Sequence, residues 1–563
     1  MEYSIFRPQA CFHKPLLIIQ RVDAPSCPSH TRFPRPVQRW PLPPRPRCPG
    51  HSRLSIACAA EPQIAAASPH LPDSSLINDD FAPVLEQART FTAWDLAALW
   101  IGLVVSITTW YLAGGLVELG MAWWQGILTI VAGNLITLIP LTLTGHAGTK
   151  YGIPFPVLCR ASFGIHGANL PSCLRALVAT GWYGIQTWVG GSAIHQMLLV
   201  LSGAGSGTSR IAWLGISASE LGCFLLFWSL QVGIILRGIE SIKEVEQAAA
   251  PFLILLSAAL LAWAWRTAGG LGPMLAAPSQ FGPGQPQAGR FWHVFWPALT
   301  ANVGYWTTLS LNIPDFTRYA KSQRAQVMGQ ALGLPLCMAA FTFVGLAVSS
   351  ATISIFGRTI TDPVQLLSCL GGPLPTCLGL LGLLVATLST NIAANIVAPA
   401  NALVNLAPGR ISFKTGALLT SLAGILIMPW RLITSTQGFI FTWLIGYSAL
   451  LGPIGGILLV DYHIVRQRSL DIDALFSKDP AKLYWFQGGW NVKALMAVAA
   501  GWIPVSPGFL QAIGVVKHIP SVFASVYTFA WFAGCLTAGA VYVLLMRSST
   551  PGGAHLLQAF TQT

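Results

Sequence analysis

Charge is scarce in this chain. Asp, Glu, Lys and Arg make up 9% of its 563 residues, against about 25% in soluble globular proteins. Too few charges are present to solvate a water-facing surface of this size. Motifs for bond chemistry are missing as well: no HExxH, GxSxG, Walker loop or paired-aspartate diphosphate motif occurs. Metal hydrolysis, serine-nucleophile hydrolysis and self-contained ATP-driven pumping are left without support. No enzyme activity and no cofactor are expected. The 11 cysteines are scattered, with no CxxC or Cys/His cluster at zinc spacing.

What is present is apolar. Hydrophobic residues make up 53% of the chain, and mean hydropathy is +0.60. The apolar runs reach roughly 20 residues, enough for a helix to cross about 30 Å of hydrocarbon. A transmembrane barrel would instead show alternating segments of about 10 residues. The sequence predicts an all-α polytopic membrane protein embedded in a lipid bilayer. Twelve spans are read near 94–119, 123–145, 170–201, 211–236, 246–268, 294–316, 327–354, 372–405, 414–430, 434–459, 492–514 and 522–546. With the N-terminus inside, 17 basic residues fall on the inner side, Arg160 and Arg175 among them. Six fall outside: Arg210, Arg266, Arg290, Arg358, Arg431 and Lys517. Basic loops mark the cis side of insertion.

Residues 1–60 carry nine Lys/Arg against two acids, Glu2 and Asp23, and a proline-dense run, PRPVQRWPLPPRPRCPGH. Such a leader fits a targeting peptide, with plastid import preferred to mitochondrial import, or a disordered basic tail. The expected organisation is a transit peptide at 1–75 and an inner-side segment at 76–93. A five-helix repeat at 94–268 and a second at 294–460 follow. An inside loop at 461–491, two accessory helices at 492–546 and a tail at 547–563 complete it.

Two spans, the first and the sixth, look interrupted. IGLVVSITTWYLAGG places Ser106, Thr108 and Thr109 mid-span ahead of Gly114-Gly115, and ANVGYWTTLSLNIPDF places Gly304 mid-span and Pro314 near its end. Unwound backbone survives at membrane depth only where protein or a cavity surrounds it. Interruptions at matching places of two five-span halves point to a transporter site between inverted repeats. Close helix packing by small residues is the alternative.

GWYGIQTWVGG, in the third span, sets Trp182 and Gln186 at i and i+4, on one helix face. An indole offers a flat stacking surface, and a primary amide offers both a donor and an acceptor. Together they suit a neutral heteroaromatic ring with an amide-like edge; core packing and an interhelical hydrogen bond are the plainer readings. Trp188 faces elsewhere and is read as structural. In the eighth span, ATLSTNIAANIVAPANAL supplies the adjacent hydroxyls Ser389 and Thr390, which suit Na⁺, and Asn395, whose amide suits a substrate edge. Back-bonding to helix carbonyls is the alternative for the hydroxyls. Glu118 and Asp315 sit near span ends as capping or pairing groups, and His195 is expected to hydrogen-bond a neighbour.

Several longer motifs then carry a resemblance. WWQGILTIVAGNLITLIPL, GTKYGIPFPVLCRASFGIHGANLPSCLRALVATGWYGIQTWVGG, NIPDFTRYAKSQ, LSTNIAANIVAPANAL and PIGGILLVDY, spread over roughly residues 78–480, resemble the nucleobase:cation symporter-1 family. The plant plastidic purine and uracil transporters look most similar. The resemblance implies a leucine-transporter-type fold, five plus five spans as inverted repeats with two extra helices. It implies a ring sandwiched between Trp182 and Trp306, with Gln186 and Asn395 on its edge. Ser106 stands where the bacterial hydantoin transporter has a glutamine, so hydantoin specificity does not carry over. The family's sodium position maps to Gly102, Val105, Ala386, Ser389 and Thr390; the coupling ion is H⁺ or Na⁺. The expected function is an ion-coupled symporter moving a nucleobase such as uracil, adenine or guanine across the plastid envelope inner membrane. A mitochondrial or plasma membrane is the alternative location. Allantoin, hydantoin or a vitamin such as thiamine or pyridoxine is the alternative cargo, and a non-transporting ligand sensor the alternative class. No nucleic-acid partner is expected, and the sequence fixes no oligomeric state.

Overall fold

Helices account for the regular structure of the described residues, which otherwise carry only isolated β-bridges. The computed structural model describes residue 73 and residues 75–78, 81–203, 210–237, 254–431 and 438–547. Most of the expected transit peptide, the start of the fifth span and the tail from 548 lie outside the described residues.

The first span is broken, at a position its side chains explain. Helix α1 (Ala93–Val104) starts at a capping box between Thr92 and Asp95. It ends where Ser106 turns extended, at φ −139° and ψ 158°. Ser106 caps the next helix, α2 (Ile107–Glu118), by accepting the Thr109 N–H at 3.3 Å. The two helices meet at 60°. Gly114-Gly115 lies inside α2 and makes no break.

The sixth span corrects its expectation. Helix α8 (Phe291–Asn312) runs unbroken through Gly304. A β-carbon there would strike Ser448 Oγ and the Leu444 carbonyl. Gly304 thus permits close helix contact, the packing reading, and does not unwind the span.

Between these lie α3 (Trp123–Tyr151), α4 (Phe155–Phe163), α5 (Asn169–Ser202), α6 (Ala218–Arg237) and α7 (Ile254–Thr267). After α8 come α9 (Gln323–Phe356), α10 (Pro373–Asn395), α11 (Val397–Leu406), α12 (Phe413–Leu426) and α13 (Gly438–Val465). The chain closes with α14 (Val492–Trp502), bent by 53° into α15 (Ser506–Ala512), then α16 (Ser521–Thr528) and α17 (Ala530–Arg547). Helix α9 keeps its course past Pro335 through a π turn at Leu332–Leu336. Such a turn re-routes the backbone bond that proline cannot donate.

Among the described residues, six helices are long and apolar enough to cross a membrane by themselves, or up to eight spans if each bent pair counts as one. Helices α5 and α8, with 34 and 22 residues, have the length but fall outside that apolar set. Their polar residues face protein instead of lipid: Arg175, Gln186, Thr187, Asn302, Thr307 and Asn312 are all buried. Helix α12, at 14 residues, is shorter than the ninth span read from sequence.

Packing divides around α5 and α8. Helices α10, α11, α12 and α6 lie along α5, whereas α3 and α13 lie along α8, and α17 covers α13. The largest buried apolar cluster joins residues of α1, α2, α3, α5, α8 and α13. The broken first span lies where these groups meet.

Candidate functional site

Tryptophan 182 sits halfway along α5, where Gly181 lets Trp443 approach so closely that a β-carbon would collide with its ring. Four aromatic rings meet Trp182 edge to face: Tyr305 at 5.6 Å, Trp443 at 5.8 Å, Phe439 at 5.9 Å and Tyr447 at 6.1 Å. Trp306, on α8, packs edge to face against Trp100 at 5.1 Å and Tyr305 at 4.8 Å. Tyr305 therefore touches both tryptophans. Such contacts each add about 0.5–1.5 kcal/mol beyond burial, and together they hold the two indoles in place.

These rings frame a small, tightly walled cavity. Trp182, Gln186, Trp306, Asn395 and Ser106 all line it, with Thr108, Arg175, Tyr305, Thr308 and Thr390. Three polar atoms of the wall are buried without a partner: Gln186 Oε1, Trp306 Nε1 and Arg175 Nη1. An unmade bond at a buried polar atom costs about 1–3 kcal/mol. Clustering of such atoms on one cavity points to a polar ligand that completes them.

Ser106 lines the cavity, yet its hydroxyl is engaged. Besides capping α2, it lies 3.2 Å from Thr108 Oγ1, 3.0 Å from Thr109 Oγ1 and 3.5 Å from the Tyr305 hydroxyl. Tyr305 is closer to Thr108, at 2.6 Å, and to Thr109, at 3.1 Å. The mid-span hydroxyls noted in the sequence are thus the seat for one tyrosine. Asn395 reaches the cavity from the end of α10 and donates Nδ2 to Asn391 Oδ1 at 2.9 Å.

Residues of the mapped ion position converge at the break. Gly102 would ordinarily accept the N–H of Ser106, but that N–H goes to the Val104 carbonyl at 2.8 Å. The freed Gly102 carbonyl accepts Thr390 Oγ1 at 3.3 Å. Thr109 N–H, the ordinary partner of the Val105 carbonyl, turns to Ser106 Oγ. Val105 packs directly on Ala386 of α10, and Ser389 precedes Thr390 there. Freed carbonyls and hydroxyls are hard neutral oxygens of the kind that hold Na⁺ at broken transporter helices. No group of three or more His, Cys, Asp or Glu comes together for a metal among the described residues.

Arg175 corrects the orientation count. Its position in the chain counts it among the inner-side basic residues, but it is 2% exposed and lies on the cavity wall. Its Nε donates to the Thr308 carbonyl at 3.0 Å and to Asn312 Oδ1 at 3.1 Å. Asn312 in turn donates to Asp315 at 3.1 Å, and Asp315 accepts the Phe155 N–H at 2.8 Å. Arg160 is buried too, bonded to the Leu475 carbonyl and Asn405. Glu118 accepts the Thr361 hydroxyl at 3.2 Å. His195 Nε2 is buried with no partner among the described residues. Trp188 packs on Phe224 and Trp430 at 5.9 and 5.4 Å, away from the cavity. Arg175, Tyr305 and Asn391 are the wall and support residues that sequence reasoning missed. The signal for Tyr305 was its place beside Trp306; for Arg175 it was the seven-residue spacing to Trp182, two turns along one face.

Comparison with known proteins gives this geometry a family. The model for permeases of cytosine/purines, uracil, thiamine and allantoin matches residues 83–534. A purine-uracil permease of Arabidopsis thaliana is 52% identical over 491 residues, 86% of this chain and 81% of the relative. An allantoin permease of Bacillus subtilis is 39% identical over 482 residues, 84% and 94% of the two chains. Among solved structures, the transporter MHP1 in a closed conformation with bromovinylhydantoin superposes with TM-score 0.68 at 25% identity, covering 86% of this chain and 99% of that one. Its inward-facing form gives 0.67. The chain belongs to the nucleobase:cation symporter-1 family of membrane permeases for cytosine/purines, uracil, thiamine and allantoin.

Proposed function

We propose that this chain is a secondary active symporter that carries a nucleobase, such as uracil, adenine or guanine, across a membrane by alternating access. The observation that carries the reading is the central cavity, where two fixed indoles meet unpartnered atoms of Gln186 and Trp306 beside a broken helix. Trp182 and Trp306 stack the ring, and Gln186 and Asn395 bond its edge. The named cargo of the Arabidopsis relative supports a purine or uracil. MHP1, solved both closed and inward-facing, supports a leucine-transporter-type arrangement of five plus five spans and two accessory helices.

Gly102, Val105, Ala386, Ser389 and Thr390 are the proposed Na⁺ position. Thr390 belongs to both sites, because it lines the cavity and bonds Gly102. An ion there stiffens the wall that the substrate meets, which couples the two. Proton coupling is the competing reading; it predicts uptake that follows pH and ignores Na⁺. The basic, acid-poor leader and the plant relative support the plastid envelope inner membrane.

The family description and the Bacillus relative favour allantoin or thiamine as the second reading of cargo. A competition panel in proteoliposomes separates the two. Excess uracil, adenine or guanine is expected to suppress labelled nucleobase uptake, and allantoin, hydantoin and thiamine to leave it unchanged. The opposite ranking overturns the nucleobase reading. Binding without accumulation identifies a sensor.

A further inference from the structure

Behind Asn395 lies a chain of amides that does not touch the cavity. Asn391, one turn earlier on α10, is fully buried and donates Nδ2 to the Tyr183 carbonyl at 3.1 Å, to Thr187 Oγ1 at 3.1 Å and to Gln231 Oε1 at 2.8 Å. Gln231, fully buried on α6, donates Nε2 to Thr187 Oγ1 at 3.1 Å. Thr187 spends its single hydroxyl hydrogen on the same Tyr183 carbonyl, at 2.7 Å. Three helices therefore share one network.

The polarity of this network is forced. The Tyr183 carbonyl is backbone and only accepts. Thr187 Oγ1 has no hydrogen left, so it only accepts from its two amide neighbours. Asn391 must turn its NH₂ toward both of them, which leaves its Oδ1 on the other side. Gln231 must turn its NH₂ to Thr187, which leaves Oε1 to receive Asn391. Asn395 then meets an oxygen and must present Nδ2 to it, as observed at 2.9 Å. Amide orientation follows from partners, and here every partner traces back to a carbonyl that cannot flip. The Asn395 oxygen is what remains for the cavity.

We propose that Asn391, held by the Tyr183 carbonyl, Thr187 and Gln231, is a positioning residue that holds Asn395 as a hydrogen-bond acceptor, so that the site selects rings by their N–H groups. The inference rests on the nucleobase reading of the cavity. Gln186 Oε1 is buried without a partner, and because nothing fixes the turn of that amide, Gln186 can meet either a donor or an acceptor on the ring. The fixed acceptor matches a ring that offers N–H along its edge, as uracil, guanine and xanthine do. A ring of the same shape with C–H in place of N–H leaves a buried acceptor unmet, and that mismatch is penalised more heavily than a missing methylene.

The test uses the full-length transporter in proteoliposomes, with labelled uracil as cargo. The competitors are the two deazauracils, in each of which C–H replaces one ring N–H. In the wild type, at least one deazauracil is expected to compete about tenfold more weakly than uracil, near the worth of one hydrogen bond. Asn391→Leu keeps the bulk but removes the oxygen that receives Asn395 Nδ2 and lets Asn395 turn over. That variant is expected to reduce the gap to less than about threefold while still taking up uracil. Gln231→Glu, in its protonated form, both donates to Thr187 and accepts from Asn391, and is expected to retain the gap. Deazauracils that match uracil in the wild type overturn the proposal without any variant. An Asn391→Leu transporter that takes up uracil with the gap intact overturns the relay. Failure of every nucleobase to enter overturns the functional reading, and this inference with it.

Discussion

Replacing Trp182 with alanine separates its two roles. In the fold, the indole meets four aromatic rings within 6.1 Å, and truncating a buried aromatic costs about 3–5 kcal/mol of stability. In the proposed site, the same ring is assigned to stack the cargo, worth about 1–3 kcal/mol per base in nucleic-acid proteins. At 1.4 kcal/mol per decade, the apparent substrate constant should rise roughly 5- to 150-fold. Trp182→Phe keeps a flat ring of smaller area and should fall between wild type and Trp182→Ala. Initial uptake rates across a range of substrate concentrations, normalised to transporter in the proteoliposome, read the affinity. A thermal midpoint in detergent reads the fold. If Trp182→Ala folds, reaches the bilayer and transports with an unchanged substrate constant, the indole does not stack the cargo and the assignment of this cavity fails.

Gln186→Leu removes an oxygen that lacks a partner, so stability should hold or rise by about 1 kcal/mol while substrate affinity drops roughly 5- to 100-fold; paired melting and uptake measurements check the split. Ser389→Ala with Thr390→Ala should abolish any Na⁺ dependence of uptake, seen by comparing choline and sodium buffers; persistent Na⁺ stimulation removes both hydroxyls from the ion position. Gly304→Ala should lower the melting point by the equivalent of about 1–3 kcal/mol, because the new methyl meets Ser448 and Leu444. Gly102→Ala, with open space around its added carbon, should fold normally, and equal melting points for the two variants contradict this account of Gly304.

Much of this was legible in the sequence because membrane depth makes polar residues conspicuous. Trp182, Gln186 and Asn395 stood out against Leu and Val, and the structure places all three on one cavity. The hydroxyls after Val105 correctly signalled a broken helix. Gly304 misled, because a glycine that unwinds a helix and one that admits a neighbouring helix look alike until the neighbour is known. Arg175 misled for a related reason. Counting basic residues by position treats every arginine as loop-facing, and only the fold reveals a guanidinium held by Thr308 and Asn312. The Asn391–Gln231 relay was out of reach, since it joins residues 160 positions apart.

Accumulation of labelled uracil in proteoliposomes, with sodium and proton gradients imposed separately, tests the central claim most directly. The account predicts uptake above equilibrium that one of the two gradients drives and that its collapse abolishes. Uracil that binds but never accumulates under either gradient contradicts it.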